Sequence, residues 1–245
     1  MRKIKRVSLY LLFLFSLPII VGQLPFPNNT LTKEEPEKKM VAYAAPAFEV
    51  NTATTLSPFH VLMLFTHSHE SYKPVVESRD GLQAVYDDQT NIYNMQELIG
   101  HYLQLNGLDS SVLGVDVMDE MKQKGATFNK AYKVVRPHLQ QELAANNYQL
   151  VIDFHRDSAS KKVTTIKHNE ETFAKIAFVV GADHAGFESN LTYANELSEQ
   201  LNSIVPGISR GIMKQKGTGV NGIYNQDLAP NMLLIEFGGI DNTEQ

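Results

Sequence analysis

Tyr148-Gln149-Leu150-Val151-Ile152-Asp153-Phe154-His155-Arg156-Asp157-Ser158 decides how the rest of the chain is read. From Tyr148 to Phe154 it is an apolar run of strand length, the signature of a strand buried on both faces. It ends in three charged or titratable residues, His155, Arg156 and Asp157. In open α/β sheets, ligands bind beyond the carboxyl ends of the strands, so chemistry is sought at the residues just past each apolar strand.

Working outward, the same reading gives strands at His60 to Thr66, Val112 to Met118, Phe173 to Val180 and Met232 to Phe237. Helical spacing covers Asn91 to Asn106, with Gly107 as its cap. It also covers Thr127 to Asn146, with Phe128, Ala131, Val135, Leu139 and Leu143 inward and Pro137 as a kink, and Asn190 to Val205. Strands alternating with helices predict an α/β fold, a mostly parallel twisted sheet flanked by helices. The 245 residues suffice for one sizeable domain, and a hydrophobic fraction of 43% allows a core.

Composition narrows the chemistry. A net charge of -5 gives no basic surplus, which argues against nucleic acid as a partner. With no Cys there are no disulfides, thiolate ligands or Cys nucleophiles, so any metal must be held by His and carboxylate. No P-loop, nucleophile elbow or dinucleotide fingerprint is present. At the N-terminus, Arg2, Lys3, Lys5 and Arg6 precede an apolar run from Leu9 to Val21. This reads as an export signal or membrane anchor over residues 1–23, with an uncleaved anchor favoured because no cleavage site comes at once after it. Residues 24–57, rich in Pro and charge, read as a flexible linker, and residues 58–245 as the folded domain.

Three strand ends carry the candidate site. The first gives Thr66-His67-Ser68-His69-Glu70-Ser71, the second His155-Arg156-Asp157-Ser158, the last Glu236-Phe237-Gly238-Gly239. Two His and a carboxylate suit a catalytic zinc that keeps its fourth position for water, with a further carboxylate as general base. The expected ligands are His67, Glu70 and His155. The His-x-x-Glu pair plus a distant His has the pattern seen in zinc carboxypeptidases. Glu236, a charge in an otherwise apolar strand, is the expected base. His69 stays open as an alternative to His67, because residues two apart in an extended strand share a face. Arg156 is expected to bind a substrate carboxylate or the oxyanion, or else to pair with Asp157 or Glu70. Asn225 and Gln226, in an amide-rich stretch, are expected to grip a peptide or sugar backbone, or else to stabilise a turn.

Four ordered motifs then carry a resemblance. Thr66-His67-Ser68-His69-Glu70-Ser71-Tyr72 with Pro74, Val151 to Asp157, Pro206 to Ile212, and Tyr224 to Asn231 with Leu234 to Gly239 resemble the stage II sporulation protein P family, peptidoglycan hydrolases of endospore formers. The resemblance runs from about Val61 to Asn242. It implies an N-acetylmuramoyl-L-alanine amidase with zinc, with an additional endopeptidase activity. It implies a single membrane anchor, an extracytoplasmic domain acting on peptidoglycan during engulfment of the forespore, and partnership with stage II sporulation protein D. The family motif puts the first His on His67, the second on His155 and the acid before the paired glycines on Glu236. Family members usually continue past Asp241-Asn242-Thr243 with a last helix, which the resemblance implies is missing or shortened here. They also carry a longer region before the catalytic domain. Stem-peptide endopeptidase and non-catalytic wall-binding scaffold are the alternative functions.

Overall fold

A computed structural model describes residues 58–243. The expected anchor at residues 1–23 and the linker at residues 24–57 lie outside the described residues. Among the described residues, no helix is long and apolar enough to cross a membrane.

The strands are β1 (Phe59–Leu64), β2 (Leu108–Val112), β3 (Leu150–Asp157), β4 (Thr165–His168), β5 (Glu171–Ala174), β6 (Ile176–Gly181), β7 (Ser209–Gln215) and β8 (Met232–Gly239). Six form one sheet in the order β2-β1-β3-β8-β6-β7, and β4 and β5 form a separate hairpin. The first four in that order run parallel, as do β6 and β7, but β6 is antiparallel to β8. The expected mostly parallel sheet is present, with one antiparallel seam. Its origin is local. After β3, a helical turn at Lys161–Thr164 and the β4–β5 hairpin keep the chain at the carboxyl end of the sheet, where Lys175 N–H donates to Thr164 O (2.7 Å) and Gly238 N–H to Lys175 O (2.9 Å). From there β6 must run back.

The helices are α1 (Lys73–Asp80), α2 (Gln96–Leu105), α3 (Val117–Gln123), α4 (Ala131–Ala145) and α5 (Phe187–Ile204). Alternate residues of each central strand face opposite layers. Val61, Met63, Phe65, Ile152, Phe154, Phe178, Leu233 and Ile235 pack with Ile99 and Leu103 of α2 and Leu191, Ala194 and Leu197 of α5. Leu62, Leu64, Val151 and Met232 pack under Val117 and Met121 of α3 and Val135 and Leu139 of α4. The second face also bears Asp153, His155, Leu234 and Glu236, two and four residues further along the same strands.

Several expected elements differ. In place of the strand expected at Val112 to Met118, β2 ends at Val112 and α3 starts at Val117. The Asp116 side chain accepts from Asp119 N–H at 3.1 Å and caps that helix. β2 reads Leu-Asp-Ser-Ser-Val; as an edge strand it needs no continuous apolar run, which hid it. The strand expected at Phe173 to Val180 is two strands broken at Lys175, and β7 carries Gly211 and Lys214 at the other edge, so neither edge showed a hydropathy signal. The helix expected from Thr127 starts as a 3-10 turn, Phe128–Lys130, that leaves Phe128 exposed rather than inward.

Gly181 closes β6 against the loop after β7. A Cβ there would stand 2.5 Å from Gly222 O and 2.7 Å from its carbonyl carbon, backbone atoms that cannot rotate away. Gly181→Ala is expected to destabilise the domain by about 1–3 kcal/mol, read as a lower urea midpoint; an unchanged midpoint would show that this packing is loose.

Candidate metal centre

The first segment is shaped by one buried acid. Beyond Leu64 the chain leaves the strand, and Thr66 donates twice to the Asp153 carboxylate, from N–H at 2.9 Å and from Oγ1 at 2.7 Å. A turn comes next, closed by Glu70 N–H donating to His67 O at 2.9 Å. Three residues apart across that turn, His67 and Glu70 point the same way. His69 does not. Its Nε2 lies 2.9 Å from Asp116 Oδ2 and its Nδ1 3.1 Å from Asp88 Oδ1, so carboxylates occupy both ring nitrogens. Ser68 Oγ also donates to Asp116, at 2.6 Å. The rule that residues two apart share a face fails here because the segment is a turn. His67, not His69, joins the group.

His155, at the end of β3, completes it. His67 Nδ1 is 3.4 Å from Glu70 Oε1, and His155 Nδ1 is 3.6 Å from Glu70 Oε2. One potential ligand atom from each of the three residues lies within 4.8 Å of the others. The backbone N–H of Arg156 fixes Glu70 Oε2 at 2.7 Å. Behind the ring, His155 Nε2 sits 3.1 Å from Asp153 Oδ1, close enough to pair but aligned too poorly for a hydrogen bond. Burial alone would raise the Glu70 pKa. The hydrogen bonds and charges of His155 and His67 outweigh it and hold the acid well below the usual carboxylate range. Burial would lower the His155 pKa, but Asp153 and Glu70 raise it well above the ordinary value. Two imidazoles and an ionised carboxylate, converging with no lysine or arginine side chain among them, are a donor set that fits zinc. Metal uptake there would release the His155 proton.

Glu236 stands beside this group. In the sheet register it pairs with His155 on the neighbouring strand and lines the same cleft. Its Oε2 is sealed from solvent with no partner. Burial pushes its pKa up to about 7; the charge of His155 opposes that rise, while Glu70 and Asp157 add to it.

The cleft has a volume of about 830 Å³ and extends over the β6–β8 part of the face, where Val179, Met213 and Leu234 line it. Aromatic side chains wall it. Phe128 lies 4.3 Å from the His67 ring and 5.4 Å from Tyr86, and Tyr132 packs at 5.3 Å against Tyr224. Sequence reasoning singles out none of Phe128, Tyr86 and Tyr132 as a site residue; Tyr224 belongs to the stretch Tyr224 to Leu228 expected to grip substrate, and it does line the cleft. Arg156 lines the cleft with both terminal guanidinium nitrogens engaged and its buried Nε without a partner. It donates from Nη2 to Val85 O at 2.7 Å and from Nη1 to Asp157 O at 3.3 Å, under the ring of Tyr86 at 5.5 Å. Asp157 pairs with Arg210 instead.

Asn225 and Gln226 are not on the cleft, a correction to the expected substrate contacts. Gln226 is 1% exposed; its amide donates to Val179 O and accepts from Gly181 N–H, both at 2.8 Å, in place of a missing strand neighbour. Asn225 donates to Tyr132 O at 2.9 Å and accepts from Arg136 at 3.0 Å. Buried amides satisfy backbone before they can meet a ligand.

A family model described as Stage II sporulation protein P (SpoIIP) matches residues 25–245. Stage II sporulation protein P of Bacillus subtilis (strain 168) is 36% identical over 183 residues, 74% of this chain and 46% of that protein. The chain thus spans about half the length of the curated relative it matches, at 46%. Among solved structures, the CwlD amidase from Clostridioides difficile in complex with the GerS lipoprotein is similar with a TM-score of 0.44 and 10% identity, covering 74% of this chain and 83% of that one.

The raised Glu236 pKa has a stability consequence. A carboxyl whose folded pKa is near 7 instead of 4.5 stabilises the fold below pH 4.5, and that contribution is lost as pH rises through about 7. The ionised form is disfavoured by up to about 3 kcal/mol. In metal-free protein, Glu236→Gln is expected to raise the melting temperature by several degrees at pH 8 and hardly at all at pH 4. Equal shifts at both pH values would contradict this origin.

Proposed function

The chain belongs to the stage II sporulation protein P family, and on that premise we propose that it is a zinc-dependent peptidoglycan hydrolase cleaving the amide between N-acetylmuramic acid and the L-alanine of the stem peptide. The observation that carries this is the convergence of His67, Glu70 and His155 within 4.8 Å in the lining of a cleft. Glu236 stands on the adjoining strand beside them.

A zinc ion held by His67, Glu70 and His155 would supply Lewis acidity at the scissile carbonyl and acidify a water. The chain's own residues supply the rest. Glu236 takes the proton from the attacking water as the C–O bond forms and delivers it to the leaving nitrogen as the C–N bond breaks, giving a carboxylic acid and a free amine. Asp153 backs the His155 ring, and the Arg156 N–H fixes one Glu70 oxygen, so neither ligand is free to swing. The aromatic walls fit the apolar faces of sugars and short peptide side chains.

The same proposal places an anchor at residues 1–23 and a tether at residues 24–57 between membrane and domain. The domain then works outside the cytoplasm in the space between engulfing membranes, alongside stage II sporulation protein D.

Purified sacculi test it. The zinc-loaded protein should release intact stem peptides with L-Ala at their N-terminus. Cuts inside the stem would mean an endopeptidase, and no product would mean a wall-binding scaffold. His155→Ala should lose both metal and peptide release. Glu236→Gln should keep about one zinc per chain and lose activity on the order of 10²–10⁴-fold. Release by His155→Ala at the native rate would reject the assignment.

A further inference from the structure

Tyr132 enters the cleft from the first turn of α4. Its ring stands 5.5 Å from the His67 ring and 6.2 Å from the His155 ring, and it lines the cleft together with Glu70 and Glu236. It is fixed from two sides. Asn225 Nδ2 donates to the Tyr132 carbonyl at 2.9 Å, and Asn225 Oδ1 accepts from Arg136 Nη1 at 3.0 Å. Arg136 in turn grips both oxygens of Asp227, at 2.8 and 2.7 Å. Tyr224 packs edge-on against the Tyr132 ring at 5.3 Å.

The hydroxyl, by contrast, has no hydrogen-bond partner among the described residues. The hydroxyl stays open to the cleft and bonds nothing in the protein, and phenylalanine would pack as well. A ligand in the cleft would complete it. A phenol keeps its proton at neutral pH and can act as a donor. The other obvious donor, Arg156, already serves the Val85 and Asp157 carbonyls.

We propose that Tyr132 is a catalytic residue whose hydroxyl donates a hydrogen bond to the carbonyl oxygen of the scissile amide as that oxygen gains negative charge. The proton stays on tyrosine throughout; Glu236 alone moves one. This deepens the hydrolase reading above and rests on it. Donors preorganised toward developing charge act on the transition state more than on the ground state.

The test uses the full chain loaded with zinc, wild type against Tyr132→Phe. Zinc content and melting temperature should be unchanged, since the hydroxyl bonds nothing in the protein. On soluble glycan–peptide fragments, kcat should fall on the order of 10²-fold, with KM within about twofold. A second readout needs no turnover: calorimetric binding of a phosphinate that mimics the tetrahedral centre of the muramoyl–alanine junction should weaken about 10-fold or more. Unchanged kcat overturns the role of Tyr132 while leaving the hydrolase reading intact. If wild type cleaves nothing, the hydrolase reading falls, and the phosphinate decides Tyr132 by itself. Equal affinity of the two proteins, or no binding by either, overturns the proposal.

Discussion

Glu70 is an acid that the fold buries to 6% exposure and keeps ionised, and the arrangement around it stems from that constraint. A buried carboxylate without partners would protonate or unfold its surroundings. Here one oxygen faces His67 and the other faces His155 and the Arg156 N–H. In turn Asp153 backs His155 and ties Thr66, so the loop and the strand end are locked to each other. Without a cation the Glu70 carboxylate faces a protonated His155 ring. With one, the same geometry presents two neutral imidazoles and an acid.

The sheet topology decides what this cluster faces. Parallel β1, β3 and β8 deliver His67, His155 and Glu236 to one end of one face. The helical turn and hairpin after β3 then force β6 to run antiparallel to β8. α3 and α4 cover that face over β1 and β3, and the β6–β8 part lines a cleft with Tyr132 and Phe128 at the start of α4 on its rim.

Much of this was legible because the apolar strands end where the chemistry begins. The β3 run Val151 to Phe154 and the β8 run Met232 to Ile235 announced both the sheet and the positions of His155 and Glu236. The features that stayed hidden depended on contacts distant in sequence. Spacing left His67 and His69 equal, and only Asp88 and Asp116, brought in by other elements, take His69 away. Asn225 and Gln226 are polar enough to look like ligand contacts, yet burial turns their amides to backbone groups. Tyr132 sits at a helical position that periodicity assigns to neither core nor surface, and nothing local marks a phenol as unpartnered. Edge strands β2 and β7, with one side unpaired, lack the hydropathy that exposed the central strands.

X-ray absorption at the zinc edge of the reconstituted full chain tests the central claim most directly. The expected spectrum shows a single shell of nitrogen and oxygen neighbours at about 2.0–2.1 Å. Multiple scattering should report two imidazoles, reduced to one in His67→Ala and unchanged in His69→Ala. A spectrum without imidazole scattering, or one that loses an imidazole when His69 is replaced and not when His67 is, would contradict the site described.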